Sequence, residues 1–286
     1  MIDRPPKSRN QLEWYKFEHR QGESWFFCLP PYYAALFEEQ ESSLMQKSNT
    51  GWRNSKSGKA KFAFFKDLDA NEVEQIQSFI EDYKRLLILG VNRNIRNHFE
   101  NELDFCVALD YNFQRDETRT VIGHLEYLAK YRGSEDAIEE LIALLTHAIQ
   151  RIPCGGSLRR CLSYVPPSLD KDFHLPEILA ARLANRLGSF FFPSRDGPLV
   201  YPTLHTNKRS SKDLPVKQKI AEWGSIIQRR AVVLSRSVEG YTVYLLDDLY
   251  QSGVTIWSFA KYLKSVGADA VYGLVCVKSL RDTDNR

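Results

Sequence analysis

The rhythm of apolar and polar positions changes about a third of the way along the chain. WYKFEHR (14–20) and WFFCL (25–29) are aromatic-rich runs on either side of Gln-Gly-Glu-Ser, and they predict a short antiparallel hairpin. Pro30 and Pro31 lead into an apolar stretch at 32–40 that predicts a short helix, since proline is preorganised for a first helical turn. Residues 46–61 are polar and basic with two glycines, the pattern of a surface loop, and FAFF (62–65) has strand character. Val73, Ile76, Phe79, Ile80, Tyr83, Leu86 and Leu87 then recur at three- and four-residue spacing. They mark one face of an amphipathic helix from 71 to about 89, stopped at Gly90. Together these elements predict a small α+β accessory module over 1–100. No internal repeat is visible.

Past residue 100, strand patterns alternate with helix patterns. A strand is expected at 105–109, then helices at 120–131 and 135–151, the second carried by Ile138, Leu141, Ile142, Leu145 and Ile149. CLSYV (161–165) ends at Pro166 and Pro167 and is followed by a helix at 177–187 closed by Gly188. Two β-type runs come next, at 232–234 and 241–246. A helix at 255–266 ends at Gly267, and 271–277 supplies the last strand. Such alternation predicts an α/β domain over 101–286, with a mostly parallel sheet flanked by helices.

Composition narrows the function classes. With 43% hydrophobic and 26% charged residues, the 286-residue chain is neither disordered nor low-complexity, and it is long enough to bury a core. Its net charge of +3 is too small to imply a nucleic-acid partner, so any such partner must be argued from local clusters. No run of 18 apolar residues exists and MIDRPPKSRN lacks the apolar stretch of a signal peptide, so the expectation is a soluble, cytoplasmic protein with no membrane partner. The five cysteines (28, 106, 154, 161, 276) include no Cys-x-x-Cys pair and read as small buried hydrophobes rather than structural zinc ligands. The six histidines share no spacing, and without a Gly-x-x-x-x-Gly-Lys-Ser/Thr loop ATP hydrolysis is not expected.

The stretch that carries chemistry is TVYLLDDLYQSGVT (242–255): an apolar strand, the carboxylates Asp247 and Asp248, a short loop, then a helix. Ligands of open α/β sheets bind beyond the carboxyl ends of the strands. Gln251, Ser252, Gly253, Val254 and Thr255 offer backbone N–H groups, hydroxyls and the positive end of a helix, a cradle for phosphate. The carboxylates beside it suit sugar hydroxyls or a hydrated cation, so a sugar phosphate satisfies both halves. The plainer alternative is a strand end followed by a capped helix.

This stretch resembles the phosphoribosyl pyrophosphate (PRPP) motif of type I phosphoribosyltransferases: four apolar residues, two acidic residues, two variable ones, then Thr/Ser/Asp-Thr/Ser-Gly-x-Thr. Residues from about 103 to 286 are similar to the ComF-like branch, through TVIGHLEYLAKYRG (120–133), YVPP (164–167) and DFHLPEILA (172–180). The resemblance implies a type I phosphoribosyltransferase-like sheet and a Mg²⁺-dependent transferase using PRPP and a nitrogenous base or nucleotide-like acceptor. By it, Asp247 and Asp248 would act as the catalytic pair, meeting the ribose hydroxyls and, through them or water, Mg²⁺. Gln251 to Thr255 would hold the 5′-phosphate. Pro167 and Ser168 fall where the pyrophosphate loop lies, and the basic stretch 203–219, with Lys208, Arg209, Lys212, Lys217 and Lys219, falls where a mobile lid closes. Lys278, past the last strand, falls where some members contact the base; a solvated strand terminus is the alternative.

Two departures stand out. Position 251 is Gln, where some purine-type members carry an Asp able to act as base, and an amide takes no proton at neutral pH. The four-cysteine zinc element common at the N-terminus of that branch is absent. The resemblance also implies a DNA-uptake, toxin–antitoxin or phage-defence setting and a protein partner such as a helicase. A second function, PRPP or nucleotide sensing without turnover, or a nucleic-acid-associated regulatory role, stays open. Lys47, Arg53, Lys56, Lys59, Lys61 and Lys66 surround Trp52 in 46–66 with no acidic residue among them, which fits either a nucleic-acid contact or a solvated loop.

Overall fold

Chain contacts divide the protein into two units, Met1–Ile88 and Leu89–Arg286, where the change of pattern set the break near residue 100. The computed structural model describes residues 11–20, 24–91, 95, 97–152, 159–167, 173–191, 197–206 and 214–280.

In the first unit the elements run β1 (Lys16–Arg20), β2 (Ser24–Leu29), α1 (Pro31–Gln40), α2 (Ser42–Gln46), β3 (Arg53–Asn54), β4 (Lys61–Lys66), α3 (Ala70–Arg85) and β5 (Leu87–Ile88). The predicted hairpin is β1–β2, and β4 and β3 extend it into an antiparallel sheet of order β1-β2-β4-β3. One sheet face is sealed by aromatic packing. Phe27 meets Phe37 of α1 at 5.0 Å, Phe37 meets Phe79 of α3 at 5.0 Å, and all three are fully buried. Edge-on rings of this kind add to the apolar burial that drives the packing. Asp69 and Glu72 form a reciprocal capping box that starts α3. The helix ends earlier than its apolar spacing predicts: Leu86 is already extended (φ −69°, ψ 135°), and Leu87 and Ile88 are buried as β5.

The second unit runs β6 (Phe105–Tyr111), α4 (Val121–Arg132), α5 (Glu135–Gln150), β7 (Arg160–Tyr164), α6 (Leu175–Phe191), β8 (Pro202–Leu204), α7 (Val216–Gln228), β9 (Val232–Leu234), β10 (Thr242–Tyr250), α8 (Val254–Ser265) and β11 (Ala270–Lys278). It is a mixed α/β unit with a parallel central sheet in which β6, β11, β10 and β7 are successive neighbours. The crossover from β6 to β7 travels one way across the sheet and that from β10 to β11 the other. Right-handed crossovers in opposite directions put their helices on opposite faces. Accordingly α4 and α5 lie on one face, where α6 packs against α5, while α8 packs on β10 and β11 with α7 against it. The sheet is buried on both sides, which explains its near-continuous apolar strands.

Three expectations need correction. Val232–Leu234 does not join the parallel sheet; β9 pairs antiparallel with β8 in a separate two-stranded ribbon. The basic stretch 203–219 is not one loop, because Pro202–Leu204 is a strand and Val216–Gln228 a helix. Lys217 and Lys219 therefore belong to α7, and Lys219 is only 3% exposed. Finally, the strand expected at 241–246 runs on to Tyr250. The helix expected to close at Gly188 does break there, with φ of 57°, although helical backbone resumes to Phe191. Cys106, Cys161 and Cys276 are buried free thiols, as expected, and Cys28 is part-exposed. Cys154 lies outside the described residues.

Candidate functional site

Beyond the end of β7, β10 keeps going. Its ladder with β7 stops at Leu246 opposite Tyr164, whereas its ladder with β11 continues to Tyr250 opposite Lys278. Asp247 and Asp248 thus stand on hydrogen-bonded strand backbone at the carboxyl end of the sheet, not on a loop after it. The Asp248 N–H donates to Asp247 Oδ1 at 3.0 Å, fixing the first carboxylate against the second residue's backbone.

Asp248 is held by a residue that sequence reasoning did not single out. Lys130 Nζ on α4 lies 2.8 Å from Asp248 Oδ2 and 3.6 Å from Glu126 Oε1, one turn earlier on the same helix. The side chains are 18%, 15% and 7% exposed respectively, so the cluster sits mostly out of water. Burial pushes the Glu126 carboxyl up; Lys130 opposes that and Asp248 adds to it. Burial also pulls at Lys130 in the direction of losing its proton. The charge of Asp248, its hydrogen bond and the charge of Glu126 outweigh that pull and raise the ammonium above its ordinary value. One firmly charged cation therefore sits between two carboxylates.

A further carboxylate, Asp110, stands one residue before the end of β6, opposite Val277. Burial pushes it up, against its hydrogen bonds from the Tyr111 N–H and Thr120. Glu126 and Lys130 lie in the 120–133 stretch that carries the resemblance but were given no role there, and Asp110 was not noted. The i,i+4 spacing of Glu126 and Lys130 was a visible signal of a shared helix face, but nothing in it pointed at Asp248, 118 residues downstream.

The turn after the carboxylates is tightly built. Gly253 has φ +82°, and a Cβ there would lie 2.3 Å from Tyr250 Oη. That hydroxyl accepts from Trp257 Nε1 at 3.1 Å and donates to the Gly90 carbonyl at 3.1 Å, so Tyr250 is pinned and only glycine fits against it. Gly253 is also the N-cap of α8, and no side chain caps that helix end. Its first-turn N–H groups have no intrahelical acceptor and carry the positive end of the helix dipole. Gln251 and Thr255 are part-exposed, Ser252 is 4% exposed, and the Val254 side chain is in the core, leaving its N–H as the group it can offer.

The remaining predicted site residues divide in two. Lys278 ends β11 in register with both Tyr250 and Tyr111; its Nζ donates to the Ser279 carbonyl at 3.0 Å and lies 6.0 Å from the Tyr111 ring. Pro167 follows the end of β7, where the Val165 N–H bonds the Leu246 carbonyl at 2.9 Å. Both belong to the same strand ends as the carboxylates. Ser168, Lys208, Arg209 and Lys212 lie outside the described residues. Residues 46–66 are part of the first unit.

Among the described residues, no group of three or more His, Cys, Asp or Glu side chains is arranged to hold a metal ion. With an ammonium 2.8 Å from its Oδ2, Asp248 fits a cation held at one remove, through ligand hydroxyls or water, better than direct coordination. No helix among the described residues is long and apolar enough to cross a membrane.

No family model and no curated protein matches the chain. Among solved structures it is similar to a hypoxanthine phosphoribosyltransferase from Staphylococcus aureus in two crystal forms. The orthorhombic form is 15% identical with a TM-score of 0.28, the match covering 55% of this chain and 65% of that one. The tetragonal form is 16% identical with a TM-score of 0.26, covering 55% and 64%. This chain thus spans just under two thirds of their length, and a superposition of that quality decides nothing about ligand or reaction.

Proposed function

We propose that the second unit binds PRPP at the carboxyl end of β10 and transfers its phosphoribosyl group to a nitrogenous base or nucleotide-like acceptor. The observation that carries this reading is the continuous run from strand through Asp247-Asp248 and the Gly253 turn into the uncapped N-terminus of α8. One ligand that needs both carboxylate acceptors and a cluster of N–H donors is a ribose 5-phosphate ester.

In this reading the ribose hydroxyls donate to Asp247 and Asp248, while the 5′-phosphate accepts from the N–H groups of Ser252 to Thr255 and from the Thr255 hydroxyl. Lys130 holds the Asp248 carboxylate in position through its ion pair. Asp247 and Asp248 would meet Mg²⁺ through the ribose hydroxyls or water, and the bound ion would supply charge neutralisation for the leaving group. The bond from ribose C1 to pyrophosphate breaks with its electron pair leaving on oxygen, and the acceptor nitrogen bonds to C1 and gives up its proton to solvent water. Positive charge grows on the ribose ring as the bond breaks, and fixed carboxylates nearby stabilise it without reorganising. Lys278 is assigned to the acceptor base. Pro167, Ser168, Lys208, Arg209 and Lys212 are assigned to the pyrophosphate end, where cations favour departure of a polyanion and a closed lid excludes water.

Gln251 favours a second reading. Its amide takes no proton, so a domain that binds PRPP as a sensor, without turnover, fits the same residues. Pyrophosphate release in the presence of Mg²⁺, PRPP and a panel of purine and pyrimidine acceptors separates the two. Release by the wild type that disappears in Asp247→Asn/Asp248→Asn is the expected result. Release that persists in the double variant contradicts the assignment, and PRPP binding without release selects the sensor.

A further inference from the structure

The antiparallel sheet of the first unit has a second face, and its composition is unusual. Register places three rows of side chains across that face: Lys16, Cys28, Phe62 and Arg53; then Glu18, Phe26 and Phe64; then Arg20, Ser24 and Lys66. Directly paired residues of an antiparallel sheet point to the same side, so these ten share one surface. The opposite surface carries Phe27, Ala63 and Phe65, all fully buried against the helices. On the ten-residue face Phe26, Phe62 and Phe64 stay part-exposed, and Lys16, Arg53 and Lys66 are exposed.

The three rings form a cluster, with centroids 5.3 Å apart for Phe26–Phe64, 6.0 Å for Phe26–Phe62 and 6.0 Å for Phe62–Phe64. Four cations stand at the corners of the grid around them. The one acid, Glu18, is already engaged by Lys16 at 3.0 Å and Arg20 at 2.8 Å. Arg20 brings its guanidinium carbon 3.7 Å from the Phe26 centroid, and Lys16 Nζ is 5.9 Å from the same ring. A core-facing role does not explain this arrangement. Apolar rings on a solvated sheet face are normally replaced by polar residues, and while Glu18 answers the Lys16 and Arg20 corners, Arg53 and Lys66 stand exposed beside the rings.

We infer that this face is a binding platform for single-stranded nucleic acid. Its part-exposed rings and the Arg20 guanidinium beside them suit unpaired bases, which stack on aromatic rings or on guanidinium groups. Its corner cations suit the phosphates that connect those bases. Neither half alone would choose this ligand. An acidic peptide has no need of a ring cluster, and an apolar partner would not tolerate four cations and no opposing acid beyond Glu18. The loop that joins β3 to β4 adds Lys56 and Lys59, both exposed, at the Arg53 end of the sheet.

The test is fluorescence anisotropy on the full chain with labelled oligothymidine and oligouridine of about a dozen nucleotides, a length that spans one typical binding fold. Wild type, Phe26→Leu/Phe64→Leu and Arg53→Gln/Lys66→Gln are compared across a salt series. Leucine keeps the apolar volume and the fold while removing the π face. We expect at least one of the two oligomers to bind. The leucine variant should weaken that binding by about tenfold or more, given the usual contribution of one or two stacked bases. The Gln variant should lower the slope of log affinity against log salt by about 1 to 2, as loss of two phosphate contacts requires. Absence of binding to both oligomers, binding unchanged in the leucine variant, equal preference for a duplex, or binding to anionic lipid vesicles in place of oligomers would each overturn the inference.

Discussion

The least anticipated residue of the site is Lys130. A lysine in the last turn of a helix reads as a solvated side chain that suits the helix dipole, and only the fold brings it against Asp248. Its contribution to stability has a definite pH signature. The folded-state value lies above the ordinary lysine value of 10.5, so the unfolded chain loses this proton first. The stabilisation is then fully present below about pH 10.5 and declines as pH rises beyond it through the folded-state value. Lys130→Met strands Asp248 and the buried Glu126 without a cation. It should reduce unfolding free energy in urea by about 3–5 kcal/mol at pH 7, the range for removing one partner of a buried pair. The gap between variant and wild type should narrow as the pH is raised past 10.5. A gap that is constant with pH would mean that the ammonium is not what the cluster depends on. The carboxylate pair itself was legible from sequence alone, because Asp-Asp followed by Ser-Gly-x-Thr is a dense local pattern. Glu126, Lys130 and Asp110 were not, since each owes its place to a strand or helix far away in the chain.

At the scale of elements, strong periodicity was legible and weak periodicity was not. The hairpin, α1, α4, α5 and the α8 helix fall within a residue or two of their expected bounds. The overrun at α3 comes from Leu86 and Leu87, which continue the apolar count but leave the helix for β5; apolar spacing alone does not distinguish a last turn from an incoming strand. Helix α7 was hidden among basic residues although Val216, Ile220, Trp223 and Ile226 carry helical spacing, because the density of charge in the stretch masks the period. Short Ser42–Gln46 has too few residues to show a period at all. The β10–α8 turn is the element on which the site rests, and it has no slack. Gly253→Ala must place a Cβ against the Tyr250 hydroxyl at a backbone angle that L-residues rarely adopt. A loss of about 1–3 kcal/mol in unfolding free energy is expected from that strain, along with loss of PRPP affinity as the cradle shifts. Wild-type stability and affinity in this variant would show that the turn is more adaptable than its packing implies.

At the scale of the whole molecule, the small net charge of +3 concealed two different electrostatic devices. One unit keeps a lysine between carboxylates at the end of a parallel sheet, and the other sets cations around rings on an antiparallel one. The alternation of strands and helices made the α/β class legible. Sheet order and the long reach of β10 past β7 were not, because they depend on which strands pair, and pairing leaves no mark in a single strand's composition. That extra reach places Asp247 and Asp248 on strand backbone beyond the end of β7, and the central proposal is that a ligand binds there. Calorimetric titration of PRPP with Mg²⁺ into the wild type and into Asp247→Asn/Asp248→Asn tests it most directly. The account predicts saturable binding in the wild type and its loss in the double variant; equal binding in both, or none in either, would contradict it.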